Sequence, residues 1–173
     1  MKDTIKVFMF LAVGLFSAVI VYPFLHETGH TVAAIAVGAR VVGLSFFPTP
    51  FVVCEVFSVN NYLIAVIALS GMLFPFAVSQ ILRPKHFWLW YLNLILKLIS
   101  LLSFIISFSS TILYIYGIPL ENDDIIRALK ALNNGEFLLI CFNLIMIFVI
   151  TLLIVKEKPF KRIKNYIFEE ISA

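Results

Sequence analysis

Several apolar runs in this chain are as long as the hydrocarbon core of a bilayer is thick, and that limits what it can fold into. They lie at about residues 7–21, 62–82, 87–116 and 137–155. A transmembrane helix needs about 20 predominantly apolar residues. In hydrocarbon each backbone N–H and C=O must be bonded within its own segment, so such runs become helices. Composition agrees: 62% of residues are hydrophobic and 13% charged, against about 45–50% and about 25% in soluble domains. The expectation is an all-α polytopic membrane protein of about four transmembrane helices, packed as one compact bundle in 173 residues.

The first apolar segment, about Ile5 to Ala39, is too long for one untilted crossing. It predicts either one helix kinked at Pro23 or two helices meeting there. Lys2 and Lys6 followed by an apolar run imitate a signal peptide. The run ends in bulky Tyr22-Pro23-Phe24 without a small-x-small site, which predicts a retained first span. Val41 to Val59 is rich in β-branched and aromatic residues around Phe47-Pro48-Thr49-Pro50-Phe51, and predicts a short membrane-associated β-hairpin or re-entrant loop.

The second span, Tyr62 to Leu82, holds Ser70-Gly71, small residues that permit close helix packing. A basic loop, Arg83-Pro84-Lys85-His86, leads into a third span, Phe87 to Tyr116. Trp88, Trp90 and Tyr91 at its start predict an interfacial aromatic belt. An acidic loop then leads into a short helix from Asp124 to Leu132, stopped by Asn133-Asn134-Gly135. The fourth span is Phe137 to Val155. In the basic tail, Phe160, Ile163, Ile167 and Ile171 fall at helical spacing, which predicts an amphipathic surface helix. The chain thus divides into a membrane core, 1–155, and a basic tail, 156–173.

The net charge of +3 is small, and its cations gather in short loops and the tail, which argues against nucleic-acid binding. With four spans, Lys2, Lys6, Arg83, Lys85, Lys156, Lys158, Lys161, Arg162 and Lys164 share one side, and Arg40, Arg127 and Lys130 the other. The positive-inside rule makes the first side, with both termini, cytoplasmic. Cys54 and Cys141 are expected to be free thiols.

His26-Glu27-Thr28-Gly29-His30 is an H-E-x-x-H sequence. Residues four apart share a helix face, so both imidazoles can reach one metal ion. Catalytic zinc takes three protein ligands and a water. Glu27 is then placed to act as general base on that water and as acid to a leaving amine. Ionisable groups are costly in an apolar helix unless they face the bundle interior, which favours a metal site over a chance polar patch. The third ligand is open between Asp123 and Asp124, which fall on the same side as the histidines. One of the two can cap the short helix. His86 falls on the opposite side and is expected at the interface. Asn93, Lys97 and Ser100 share a face of the third span. A water path is one reading; a snorkelling lysine or an interhelical hydrogen bond is preferred. Asn143 reads similarly, and Glu55 as an interfacial acid.

The sequence resembles the site-2 protease family of intramembrane metalloproteases. The resemblance covers about residues 20–135. It rests on His26-Glu27-Thr28-Gly29-His30 followed by Thr31-Val32-Ala33-Ala34, on Ala68-Leu69-Ser70-Gly71, and on Asn122-Asp123-Asp124. The first motif is specific and the other two are weak. It implies one Zn2+, a membrane-associated β segment after the motif helix, an aspartate as third ligand, and hydrolysis of a membrane protein or peptide substrate. It also implies zinc nearer the cytosolic face, whereas the charge count sets the motif nearer the other. No glycine follows the aspartate here, unlike the family pattern. An arginine three residues after the ligand is common in the family; Arg127 favours Asp124 in that respect, whereas the Asn-Asp pair favours Asp123. Two alternatives stand beside this expectation. One is a membrane zincin of the prenyl-protein protease type, with a glutamate (Glu121 or Glu136) as third ligand. The other is a non-catalytic membrane scaffold or substrate-holding protease homologue.

Overall fold

The first apolar segment folds as one continuous helix with a defect just before Pro23. In the computed structural model, which describes residues 2–46, 50–57, 59–82, 86–118 and 124–168, α1 (Lys2–Phe16) passes through a π-helical turn, Ser17–Val21, into α2 (Tyr22–Ala36). The Tyr22 N–H donates to the Ser17 carbonyl, five residues back. Pro23 accounts for the position: in a tight α-turn its ring clashes with the carbonyl four residues earlier, and a wider turn relieves that clash. Of the two arrangements the sequence allowed, the single interrupted helix is the one formed.

β1 (Arg40–Ser45) and β2 (Phe51–Glu55) form the expected antiparallel hairpin, with Arg40 opposite Glu55, Ser45 opposite Phe51, and a bulge between Val41 and Gly43. The strands alternate between exposed and half-buried residues. Val41 and Cys54 pack with Val56 on a small core of Ala34, Ala39 and Ile67. Glu55 is an exposed acid, 3.9 Å from Arg40.

α3 (Asn61–Ile81) begins at Asn60, whose side chain accepts the Tyr62 N–H at 2.9 Å and so satisfies one of the unpaired donors at the helix start. α4 (Phe87–Ile115), α5 (Asp124–Leu132), α6 (Glu136–Lys156) and α7 (Pro159–Phe168) follow. Among the described residues four helical stretches are long and apolar enough to cross a membrane: Thr4–Ala36, Asn61–Ile81, Phe87–Ile115 and Glu136–Ile167. Their outer faces carry Phe8, Leu11, Ile81 and Phe148 well exposed, an apolar surface suited to lipid and larger than soluble proteins carry. The fold is an all-α polytopic membrane bundle with one small hairpin.

α5 is too short to cross. It buries Ile125, Ile126, Ala128 and Leu129 against Ala65 and Ala68 of α3 and Leu139 of α6, and turns Arg127 and Lys130 outward. It ends at Asn133 and Asn134, both with positive φ, the stop the sequence predicts. Docked this way, α5 carries its first residue, Asp124, into the bundle.

α7 lies across the end of the bundle that holds the start of α1 and of α4. Tyr166 stacks on Phe87 at 3.7 Å and meets Phe10 edge-on, and Arg162 covers the Trp90 ring at 4.4 Å. The amphipathic tail helix is therefore present, and it packs on the core. Ile171 lies outside the described residues.

Three expectations about polar and aromatic groups resolve differently. Trp90 is buried rather than part of a lipid-facing belt, because its ring N–H donates to Glu157 at 2.9 Å. Lys97 does not snorkel. It is buried and ion-paired with Glu157, which the break between α6 and α7 turns inward. Asn93 and Asn143 do make interhelical hydrogen bonds: Asn93 donates to the Ser79 carbonyl at 2.5 Å, and Asn143 accepts from Ser107 at 3.0 Å.

Candidate metal centre

The motif helix packs on α3 more extensively than any other pair of elements does, and glycines make that approach possible. A Cβ on Gly29 would lie 2.5 Å from the Ser70 carbonyl oxygen and 2.7 Å from Phe74 Cβ. A Cβ on Gly71 would lie 2.7 Å from both Cε1 and Nε2 of His26, and closer still to Nε2 of His30. Gly71 is thus the floor on which both imidazoles sit. It falls ten residues from either end of α3, or about 15 Å along the axis at 1.5 Å per residue. The cluster is at mid-depth of that helix, between the two depths suggested by charge and by resemblance.

Three donor atoms converge there. His26 Nε2 and His30 Nε2 are 3.1 Å apart, and Asp124 Oδ2 is 3.1 Å from the first and 3.0 Å from the second. Asp124 arrives from 94 residues away from His30, delivered by the docking of α5. His30 is oriented by its other nitrogen: Nδ1–H donates to the Ile67 carbonyl at 2.7 Å, which turns Nε2 toward the cluster. Such an outer hydrogen bond is what fixes the tautomer of a metal-binding histidine. Burial pushes the Asp124 carboxyl up, but hydrogen bonds and charge from His26 and His30 outweigh it and hold the group below its ordinary range. Arg127 Nη1 stands 3.8 Å from the other carboxylate oxygen, Oδ1.

These three residues can together hold a metal ion. Ligands at about 2.0–2.1 Å in a tetrahedral zinc site stand about 3.3 Å from one another. The observed separations of 3.0–3.1 Å need only a few tenths of an ångström of opening. Two imidazoles with one carboxylate is a donor set used by catalytic zinc and also by non-haem iron.

Two residues of the cluster, His30 and Asp124, form part of the wall of a cavity of about 550 Å³. Glu27, His30, Asp124 and Arg127 line it together with β2 and the Ile67–Ala68 turn of α3. It lies toward the hairpin, the end of the bundle opposite α7.

His26, His30 and Asp124 are therefore brought together, and Glu27 is on the wall beside them. Asp123 and Glu121 lie outside the described residues. Glu136 lines a separate cavity with Tyr114 and Asn134. His86 flanks the start of α4, at the far end of the bundle. Asn93 and Lys97 are committed to Ser79 and Glu157 rather than to the cluster. Cys54 and Cys141 are free thiols. The Ile67 carbonyl was not legible in the sequence, since a backbone acceptor leaves no residue-type signal. The place of Gly71 under the rings was legible only as a small-residue pair. No protein-family model, no curated protein and no solved structure matches this chain.

Proposed function

We propose that this chain is an intramembrane zinc metalloprotease of the site-2 protease type, hydrolysing peptide bonds in membrane-spanning or membrane-associated proteins. The observation that carries this is the convergence of His26 Nε2, His30 Nε2 and Asp124 Oδ2 within 3.1 Å, with Glu27 on the same cavity and all of it at mid-depth among apolar helices. His26, His30 and Asp124 hold the zinc. When bound, zinc supplies Lewis-acid chemistry, activating a water and polarising a carbonyl.

The chain's own groups do the rest. Glu27 takes the proton of the attacking water and returns it to the leaving amine. The Ile67 carbonyl, accepting from Nδ1–H, keeps His30 in the tautomer and position the site needs. β2 has one edge paired with β1, and its residues Phe51 to Cys54 line the cavity. An unwound substrate segment can add to its other edge as a strand, which exposes the scissile backbone to Glu27. Asp124 in place supports the site-2 type over a zincin that uses Glu136.

The cations of α1, α6 and α7 lie at the end of the bundle away from the cavity. By the positive-inside rule that end, with both termini, is cytoplasmic, and the cavity opens toward the other face. Alkylation of Cys54 in intact cells by a membrane-impermeant maleimide checks this; protection of Cys54 until the membrane is opened refutes it.

Metal analysis of the purified full chain tests the centre. One zinc per chain is expected, lost in His26→Ala and in Asp124→Ala and kept in Glu136→Gln. A panel of single-span reporter segments, co-expressed with the chain, tests the reaction. Glu27→Gln keeps its zinc and loses cleavage; cleavage by that variant at the wild-type rate sinks the assignment.

A further inference from the structure

The two histidines of the cluster are fixed by different means. His30 is held through Nδ1 by the Ile67 carbonyl. His26 Nδ1 is buried and has no hydrogen-bond partner among the described residues. A metal-binding imidazole is ordinarily oriented by a hydrogen bond from its second nitrogen. The His26 ring instead takes its orientation from its Nε2 contacts in the cluster and from what packs on it. Its neighbours are the His30 ring, edge-on at 4.7 Å, Gly71 beneath, and Tyr22, whose ring is 6.1 Å away.

Tyr22 is one turn before His26 on the same helix face, and is itself buried. Its hydroxyl is 2.6 Å from Ser103 Oγ of α4. Ser103 has one hydroxyl proton, and it is given to the Ile99 carbonyl at 3.0 Å; the Tyr22 hydroxyl is therefore the donor and Ser103 the acceptor. A phenylalanine would fill the same space without a polar group to bury, and an unpaired hydroxyl here would be costly. The oxygen thus has one visible use, which is to tie the motif helix to α4. The tie falls where it is needed. The π turn Ser17–Val21 ends directly before Tyr22, and one extra residue in a helix rotates everything after it by about 100°. The face that α2 presents to α4 is therefore displaced from the one an uninterrupted α-helix would present.

We infer that the Tyr22–Ser103 hydrogen bond is a pin that sets the rotation of the motif helix and holds the His26 ring on the metal. Tyr22 and Ser103 are positioning residues that act through His26. This rests on the proposed metal centre. The test uses the purified full chain, with zinc affinity read by competition against a chromophoric chelator and geometry by the visible spectrum of the cobalt-substituted protein. Tyr22→Phe and Ser103→Ala each weaken zinc about 10- to 100-fold, the range for loss of a ligand-orienting partner, and shift the cobalt bands. The double variant is no worse than either single one, and Ser103→Thr, which keeps a hydroxyl, restores affinity. Unchanged affinity and cobalt spectrum in a folded Tyr22→Phe overturn the pin. That variant loses one oxygen atom and decides the matter alone if Ser103→Ala does not fold. A wild-type chain without stoichiometric metal removes the metal centre and the pin together; a metal-loaded wild type with unaltered variants removes the pin only.

Discussion

Replacing Gly71 by alanine adds one methyl group at the most crowded point of the proposed centre. The new Cβ would stand 2.7 Å from His26 Cε1 and Nε2 and nearer still to His30 Nε2. Ordinary contact begins near 3.5 Å, so the His26 ring must retreat by roughly 0.8 Å and the His30 ring by more. His30 cannot do so without stretching its 2.7 Å bond to the Ile67 carbonyl, and Asp124 Oδ2 is already at 3.0–3.1 Å from both rings. Metal–ligand distances tolerate about 0.2 Å. The displacement is several times that. Gly71→Ala should therefore lower zinc affinity at least about 100-fold, while the cost to the fold is that of one overpacked methyl, about 1–3 kcal/mol. Zinc content after dialysis against a chelator reads the first, and thermal unfolding in detergent the second. Gly14→Ala is the matched control, since its Cβ meets only the Tyr91 hydroxyl, at 3.4 Å. A Gly71→Ala protein that binds zinc as tightly as wild type would refute the packing argument, because the rings would then have room that the distances deny them.

Lys97→Met should destabilise the bundle by about 3 kcal/mol, because removing one member of a buried ion pair strands the other. The low end of the usual range applies, since Glu157 is 23% exposed and keeps its bond from Trp90. Adding Glu157→Gln should recover most of that loss in an unfolding titration; no recovery would mean that the pair is not what couples α4 to the α6–α7 break. Burial raises the Cys54 thiol above its ordinary pKa, and Arg127 works against that rise. At a fixed pH less thiolate is present than for a free cysteine, so iodoacetamide should react slowly with Cys54 and faster as pH rises. Arg127→Ala removes the opposing charge and should slow the reaction further; an acceleration would show that access, and not ionisation, sets the rate. In Asp124→Asn one donor oxygen becomes an amide group. Zinc binding should fall by more than tenfold, the least that disturbing a ligand partner costs, and equilibrium dialysis reads the change.

Much of the fold was legible because lipid removes alternatives. An apolar run of bilayer length has to be helical, so the spans, the proline interruption and the Asn133-Asn134 stop could be read within about three residues. The tail helix was legible from period alone. The fates of Trp90 and Lys97 were not. Trp90 was assigned by residue type to the lipid interface and Lys97 either to snorkelling or to an interhelical hydrogen bond, and both turned inward because Glu157, some 60 residues away, is folded back to meet them. The Tyr22–Ser103 contact, 81 residues apart, left no local mark either.

The candidate centre divides along the same line. The sequence by itself determined the pair His26 and His30, with Glu27 between them, because a spacing of four on a helix is a local property of backbone geometry. Only the tertiary structure decided what completes the set. It brought Asp124, at the first residue of a short helix docked between α3 and α6, to the two histidines, and put Glu136 on another cavity. It supplied Gly71 as a floor and the Ile67 carbonyl as an anchor. Those groups meet only where separate helices pack, and their distance in the chain carries no record of their distance in space.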